Sequence, residues 1–321
     1  MATRPSVSIC LTTYNRAHLL PTTIESLLAQ TFEDFELIIS DDCSSDDTES
    51  ICRNYASMDR RVRYFRNEHN LKMPGNLNAA IAKATGQYVA NVHDGDMYAT
   101  ELIWKWKTAL DEVPTASFVF NAYRVLRKDG TFEIASMPFE NKVSGTEVAF
   151  YFFKTFSSCV WGTVMVRRSG YDKVGTFDHE FGFISDVDMW LRLSFRSDVA
   201  YINEPLITLT PRESNHPYAF VHWQHELWTL GIYVKHLRLY SELIPNEVEK
   251  FKSIYRGERR RLMIRNMLVC IKHARFDRVK EGFAIWADSD DSVLRILGRM
   301  MGKPSSLPLW YHSRQWEPTS L

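Results

Sequence analysis

Asp94-Gly95-Asp96 follows directly on the apolar run Tyr88 to Val92. Two carboxylates flanking a glycine in a tight turn can aim hard oxygen ligands at one divalent cation, for which Mg²⁺ and Mn²⁺ are suited. Such an ion takes few protein oxygens and completes its shell with water and substrate phosphates, so a diphosphate is its natural partner. Alone, an Asp-x-Asp triplet is most often a solvated turn. Here two further polar clusters accompany it, Thr12-Thr13-Tyr14-Asn15-Arg16 and Asp41-Asp42-Cys43-Ser44-Ser45-Asp46, each also placed at the end of an apolar run.

The elements that must carry these clusters alternate. Val7 to Thr12 reads as a buried strand, and Leu20, Ile24, Leu27 and Leu28 then recur at helical spacing. Phe35 to Ser40 is a second strand, Thr48 to Tyr55 a helix, Val62 to Phe65 a third strand, Gly75 to Ala84 a helix and Tyr88 to Val92 a fourth strand. This alternation predicts an α/β fold with a mainly parallel, Rossmann-like sheet covered by helices on both faces. Ligands of such sheets bind beyond the carboxyl ends of the strands, where all three polar loops would converge. Phe118 to Val125 and Val160 to Val166 read as further strands, and Ser185 to Phe195 as an amphipathic helix. From about Pro217 the pattern becomes helical and aromatic, with Trp223, Trp228, Tyr233 and Tyr240, so residues 1–216 are read as the α/β domain and 217–321 as a helical region.

Composition narrows the function. Lys plus Arg equals Asp plus Glu at 39 each, so no general basic field points to nucleic acid. The five cysteines are scattered and never form a CxxC pair, which argues against a disulfide framework or structural zinc and for a reducing, cytoplasmic setting. Neither a signal-peptide pattern nor a spanning helix is expected. Arg256, Arg259, Arg260 and Arg261 lie close to Met263, Leu268 and Ile271. That stretch reads first as a solvated helix and alternatively as a peripheral attachment to anionic lipid at the inner face of a membrane.

The motifs also stand in a recognisable order. Val7-Ser8-Ile9-Cys10-Leu11-Thr12-Thr13-Tyr14-Asn15-Arg16 is followed by Leu27-Leu28-Ala29-Gln30-Thr31-Phe32 and by Phe35-Glu36-Leu37-Ile38-Ile39-Ser40-Asp41-Asp42. Asn67-Glu68-His69-Asn70-Leu71, Asn78-Ala79-Ala80-Ile81, Ala84-Thr85-Gly86-Gln87-Tyr88 and the Asp94-Gly95-Asp96 turn complete the series. Over roughly residues 5 to 110 it resembles the family 2 glycosyltransferases of the GT-A fold. The resemblance implies inverting transfer from a nucleotide-diphosphate sugar, a UDP-sugar above all, to a hydroxyl of a saccharide, lipid-linked or small-molecule acceptor, assisted by Mn²⁺ or Mg²⁺. Residues 1–110 would then bind the donor and 111–216 the acceptor. It places Thr12 and Tyr14, with Asn15 and Arg16 beside them, at the nucleobase, where Asp42 would accept a ring N–H. An acceptor-only carboxylate suits the N3 donor of uracil better than adenine. Lys72 or Asn78 would approach the phosphates or ribose, as would Asp94 and Gly95, and Asp96, with Asp94 beside it, would ligate the metal.

The resemblance extends to Ser185-Asp186-Val187-Asp188-Met189-Trp190, where the family usually carries Glu-Asp-x-Asp-x-Trp. It makes Asp186 the general base, with Ser185 replacing the first acid. On a helix, positions 186 and 188 lie about 200° apart, so only one of the two carboxylates can face the crevice. Asp186 shares its face with Trp190, whereas Asp188 is placed to pair with Arg192. A structural alternative for Asp186 is a carboxylate that favours the helix dipole; for Asp41, Asp42 and Asp46 it is a solvated, helix-capping turn, and Asp46 is assigned mainly to capping. By the same resemblance Arg212 would bind donor phosphates and His216 would complete the metal shell. Two other functions compete with transfer: a nucleotidylyltransferase, disfavoured because Thr12 to Arg16 contains no glycine, and a non-catalytic binding module of the same fold, which Ser185 leaves open.

Overall fold

A computed structural model describes residues 4–155, 158–210, 231–233, 235–236, 248–287 and 292–301. The chain divides into two compact units, Met1–Phe152 with Ser158–Arg212, and Phe153–Ser157 with Glu213–Leu321.

The first unit is built on one sheet. Strands β1 (Val7–Thr13), β2 (Phe35–Asp41), β3 (Val62–Arg66) and β4 (Tyr88–His93) run parallel in the order β3-β2-β1-β4. Helices α1 (Leu20–Leu28), α2 (Thr48–Met58) and α3 (Lys72–Lys83) make the connections, and a two-residue strand, β5 (Met97–Tyr98), precedes helix α4 (Leu102–Glu112). Val7, Ile9 and Leu11 of β1 bury one face against Leu20, Ile24 and Leu27 of α1 and against Leu102, Ile103 and Trp106 of α4. Burying apolar side chains of this size contributes roughly 1.5–3 kcal/mol each, and this stripe is what anchors the strand ends. The amphipathic α4 was not anticipated from the sequence.

Beyond β4 the sheet is mixed. Strand β6 (Ala116–Leu126) continues into β7 (Phe132–Ala135), and β8 (Lys142–Val143) precedes helix α5 (Gly145–Thr155). Strand β9 (Val164–Arg167) lies antiparallel between β4 and β6, and helix α6 (Arg168–Val174) follows it. A short 3-10 turn (His179–Ile184) then leads into α7 (Ser185–Ser194), and β10 (Asp198–Leu209) pairs parallel with β6 and antiparallel with β5. The α/β, helix-covered sheet is as expected, with the parallel arrangement confined to the first half and to the β6–β10 pair. The strand expected from Val160 begins only at Val164, because Gly162 takes φ +89°, a left-handed conformation that interrupts a strand. The helix expected from Gly75 begins three residues earlier and contains non-helical Met73. In the second unit, helices span Val248–Lys272, Phe276–Ala287 and Ser292–Met301. Trp223, Trp228 and Tyr240 lie outside the described residues.

A buried polar network locks the amino ends of these strands. Ser8 Oγ and both the N–H and hydroxyl of Thr85 donate to Glu36 Oε1 at 2.6–2.8 Å, and Arg63 pairs with Glu36 Oε2. Burial alone would raise the Glu36 carboxyl, yet the hydrogen bonds from Ser8, Thr85 and Arg63 outweigh it and hold the group below its ordinary value. A depressed carboxyl stabilises the fold above its unfolded value, and that contribution disappears as the pH falls through the folded one. Glu36→Ala is therefore expected to cost on the order of 2 kcal/mol at neutral pH and to flatten the acid limb of stability, as read by urea unfolding across pH.

Candidate active site

The carboxyl edge of the parallel strands is knitted together by backbone groups. Asp42 N–H donates to Thr13 O at 2.9 Å, Asn15 N–H to Ser44 Oγ at 2.9 Å, and Ser45 N–H to Asn15 Oδ1 at 2.7 Å. Asp46 takes the N–H groups of Ala17 and of Thr48, the first residue of α2, at 3.0 and 3.1 Å, in keeping with the helix-end role expected of it. Asp41 is buried and accepts from Ser44 N–H and from the Tyr64 hydroxyl, so it supports the loop from below. Of the four non-glycine residues with positive φ among the described residues, Asn15, Cys43 and Lys72 lie on this rim. Such conformations are strained for residues other than glycine and asparagine, and they cluster where a loop must present its groups to a ligand.

Asp42 is 3 % exposed, and its carboxylate receives Asn67 Nδ2 and the Leu71 and Lys72 N–H groups at 2.8–3.0 Å. A carboxylate offers about four acceptor positions. Asp42 thus shapes the 67–72 segment and retains one position for a further N–H. Asn76, missed from the sequence, is the buried hub below it. Its amide nitrogen donates to Ser40 O, and its amide oxygen accepts from Ser40 Oγ and Asn67 Nδ2. Asn78 departs from the expectation of a phosphate contact, since both ends of its amide clasp the backbone of Phe177 at 2.9 and 3.0 Å. Thr12, in register with Ser40 and His93, is partly buried at the strand end. Tyr14 is 46 % exposed on the rim, and Lys72 is exposed. Asn15 is committed to the second loop rather than turned to a ligand, and Arg16 O receives Leu19 N–H and Leu20 N–H where α1 begins.

The Asp94-Gly95-Asp96 turn is fixed through its backbone. Thr23 Oγ1 accepts from Gly95 N–H at 3.0 Å and donates to Asp96 O at 3.1 Å, while Thr210 Oγ1 donates to Gly95 O. The Tyr98 hydroxyl closes the turn by accepting from His93 N–H and donating to His93 O. Burial raises the Tyr98 phenol well above its ordinary value, and the charges of Asp96 and Asp94 raise it further. Two carboxylates acting on one buried phenol form the negative turn that a divalent cation would neutralise. Among the described residues no cluster of three His, Cys, Asp or Glu assembles a self-contained metal cage. Two carboxylates nevertheless fit an ion that completes its shell with water and phosphate oxygens. Arg212 and His216 lie outside the described residues.

The two helix α7 aspartates separate as the helical geometry requires. Asp188 is fully buried and paired with Arg192 at 2.7 Å, while Arg192 also donates to Val174 O and Thr176 O. Asp186 is partly buried in the first turn of α7, at the same edge of the sheet as His93. Its Oδ2 and the His93 ring both lie within 4 Å of the point where a Cβ on Gly162 would sit. Burial pushes the Asp186 carboxyl up to about 6, against the opposing bond from Val187 N–H. Ser185 is buried, with no hydrogen-bond partner for its hydroxyl among the described residues, and Trp190 packs between Phe118 and Phe177 at 5.5 and 5.7 Å. A cavity of about 470 Å³ lined by Ser144, Arg167 and Asp198 lies at the amino ends of β6 and β10. It is at the opposite edge from these aspartates.

The profile of Glycosyl transferase family 2 matches residues 8–175, just over half of the 321 residues, and takes in the strand-end loops, the acidic turn and Gly162. The chain belongs to this family. It is 41 % identical over 93 residues to a GalNAc(5)-diNAcBac-PP-undecaprenol beta-1,3-glucosyltransferase of Campylobacter jejuni, covering 29 % of this chain and 30 % of that protein. The aligned stretch thus spans less than a third of that relative. Against the putative teichuronic acid biosynthesis glycosyltransferase TuaG of Bacillus subtilis the identity is 28 % over 207 residues, covering 63 % of this chain and 78 % of TuaG. Among solved structures, residues 1–349 of S. aureus TarS in complex with UDP-GlcNAc match with a TM-score of 0.60 at 20 % identity, over 78 % of this chain and 71 % of that one. The Pyrobaculum calidifontis mannosyltransferase PcManGT in complex with GDP-Man and Mn²⁺ matches with a TM-score of 0.54 at 17 % identity, over 93 % and 79 %. The fold is that of GT-A glycosyltransferases, and the family is one of glycosyl transferases.

The contrast between the two aspartates is measurable as stability. Asp188→Asn should destabilise by roughly 3–5 kcal/mol, because it leaves the Arg192 charge buried and unpaired. Asp186→Asn should leave stability at neutral pH unchanged or raise it by on the order of 1 kcal/mol, because a carboxyl with a raised value disfavours the fold once ionised. In the wild type that term appears as stability lost between about pH 4, where an unfolded Asp titrates, and about 6. The variant should lack it in urea titrations across that range.

Proposed function

We propose that the protein transfers a sugar from a nucleotide-diphosphate donor, a UDP-sugar above all, to an acceptor hydroxyl with inversion at the anomeric carbon. The observation that carries this reading is Asp186, held half out of water beside His93 at the edge where the acidic turn and the strand-end loops meet, with its carboxyl pushed up to about 6. That value leaves it ionised, hence basic, at neutral pH while keeping its proton affinity well above that of an ordinary aspartate. The sugar-nucleotide complexes of the two structural neighbours support the donor class.

Tyr14 and Thr12 line the base, and the remaining acceptor position of Asp42 takes a uracil-type ring N–H. Lys72 extends from the loop that Asp42 orders and is placed for the diphosphate. Asp94 and Asp96 are the residues that would hold Mn²⁺ or Mg²⁺, which when bound supplies neutralisation of charge on the departing nucleotide diphosphate. Asp186 accepts the proton of the acceptor hydroxyl as its oxygen attacks the anomeric carbon from the face opposite the nucleotide. The bond from that carbon to the diphosphate oxygen breaks, and the configuration inverts.

Asp186→Asn should retain UDP binding and lose transfer by about 10²–10⁴-fold, and in the wild type kcat/KM should rise with pH through a single limb near 6. Asp96→Ala should instead weaken Mn²⁺-dependent UDP binding in calorimetry. Transfer at the wild-type rate by Asp186→Asn would remove the base assignment, and UDP binding without hydrolysis or transfer on any acceptor would mark a binding module.

A lipid-linked acceptor suits the second unit. Contrary to the pattern expected from the sequence, Met263 is buried, whereas Ile264, Leu268 and Ile271 are exposed, Leu268 by 61 %, along one face of Val248–Lys272. Exposed Arg260, Arg261, Arg265 and Lys272 flank that face. The Ser292–Met301 helix contains no acidic residue and exposes Ile296, Leu297 and Met300 beside Arg299. Among the described residues no helix is long and apolar enough to cross a membrane. Apolar stripes bordered by cations bind the surface of an anionic bilayer. The protein should co-sediment with phosphatidylglycerol vesicles but not with phosphatidylcholine vesicles, and Leu268→Glu with Ile296→Glu should abolish this without changing UDP binding.

A further inference from the structure

We propose that the cavity at the amino ends of β6 and β10, on the sheet edge away from Asp94, Asp96 and Asp186, binds a small phosphate monoester. Its walls come from the start of β6, the end of β9, helix α6, the first turn of α5 and the turn between α7 and β10. At about 470 Å³ it falls within the range of ligand pockets. It holds far more than a bare oxyanion, since one water molecule occupies about 30 Å³. Gly145 allows the walls to meet. A Cβ there would collide with Ser194 O and Ser197 O, so glycine lets the start of α5 press against the end of α7.

The charge of these walls is unbalanced toward the positive. Arg167, Lys173 and Arg196 all line the cavity, and none of them forms an ion pair among the described residues. Arg167 is fixed by Ala116 O at 2.9 Å, by the Tyr88 hydroxyl oxygen at 3.1 Å and by Leu110 O, which takes up three of its five N–H groups. Asp198, the carboxylate of the lining, is already answered by the Thr115 hydroxyl at 2.6 Å and by Lys142 at 3.0 Å. Ser194 adds an independent sign of a missing partner. It stands in the wall, 3 % exposed, and its hydroxyl finds no hydrogen-bond partner among the described residues. A buried hydroxyl left unpaired is unfavourable, and an anion oxygen would pair it. The hydroxyl residues Ser117 and Ser169 share the same lining. A phosphate monoester carries close to two negative charges at neutral pH and three strong acceptor oxygens, the complement of three cations set among hydroxyls. The volume left over accommodates the group that the phosphate esterifies.

The test is calorimetric titration of the full chain in EDTA, which silences any metal-dependent nucleotide site, with glucose 1-phosphate as the probe and inorganic phosphate and glucose as controls at fixed ionic strength. Glucose 1-phosphate should bind one site per chain, inorganic phosphate more weakly, and glucose not at all. Lys173→Gln with Arg196→Gln, both on exposed side chains, should weaken the ester by about tenfold or more while Mn²⁺-dependent UDP binding stays unchanged. Ser194→Ala should weaken it by about threefold or more without loss of stability, because it removes a hydroxyl that the empty cavity leaves unpaired. No binding of glucose 1-phosphate, equal or tighter binding of inorganic phosphate or glucose, or unaltered affinity in either variant would overturn the site. Loss of UDP binding together with the ester in the Lys173→Gln and Arg196→Gln protein would overturn it as well, by making the two ligands share one site. Failure of the wild type to bind UDP at all would instead count against the transferase reading and leave the ester titration to decide the cavity.

Discussion

Asp42 lies beneath the surface at the end of β2 with three N–H donors around its carboxylate, and the form of this edge of the sheet follows from that. A buried carboxylate is tolerated only when hydrogen-bonded, so the segment from Asn67 to Lys72 is drawn over it, leaving Lys72 with positive φ at the rim. The Asp42 backbone is in turn bound to Thr13, and Asn76 ties Ser40 to Asn67 below. Three separate strand ends become one rigid border, and strain in a few loop residues is maintained because the network beneath overdetermines them. Rigidity of this kind is what a site needs if its groups are to meet a nucleotide without reordering first.

The same balance between burial and partners decides the two aspartates of α7. Both are removed from water, two residues apart on one helix. Asp188 is given Arg192, which is itself fastened to two backbone carbonyls, so its charge is compensated and chemically inert. Asp186 receives the neighbouring Val187 N–H and its own backbone N–H but no cation among the described residues, and burial prevails. One carboxylate stabilises the fold, and the other raises its energy in exchange for basicity. That pattern is expected where stability is traded for reactivity.

Much of this edge was legible from the sequence, because the parallel strands of the first half are short apolar runs whose polar loops follow at once. The period of a helix was enough to assign Asp188 to Arg192 and to leave Asp186 for the crevice. What escaped was non-local. Nothing in the spacing around Asn78 shows that its amide is consumed by Phe177, 99 residues away. The position of β9 between β4 and β6 is likewise a matter of pairing rather than of local pattern, and a run such as Val160 to Val166 does not reveal that Gly162 will take a left-handed conformation. Asn76 could have been found only by asking which polar side chain would satisfy the buried ends of β1 and β2.

The break at Gly162 matters for chemistry because of where it falls. On the backbone as it stands, a side chain at 162 would project toward His93 and Asp186, so that space stays open because residue 162 is glycine. The left-handed glycine ends the ladder at Val164 and, having no side chain, leaves space beside Asp186. A single residue without a side chain therefore marks where the regular strand stops and the surroundings of His93 and Asp186 begin.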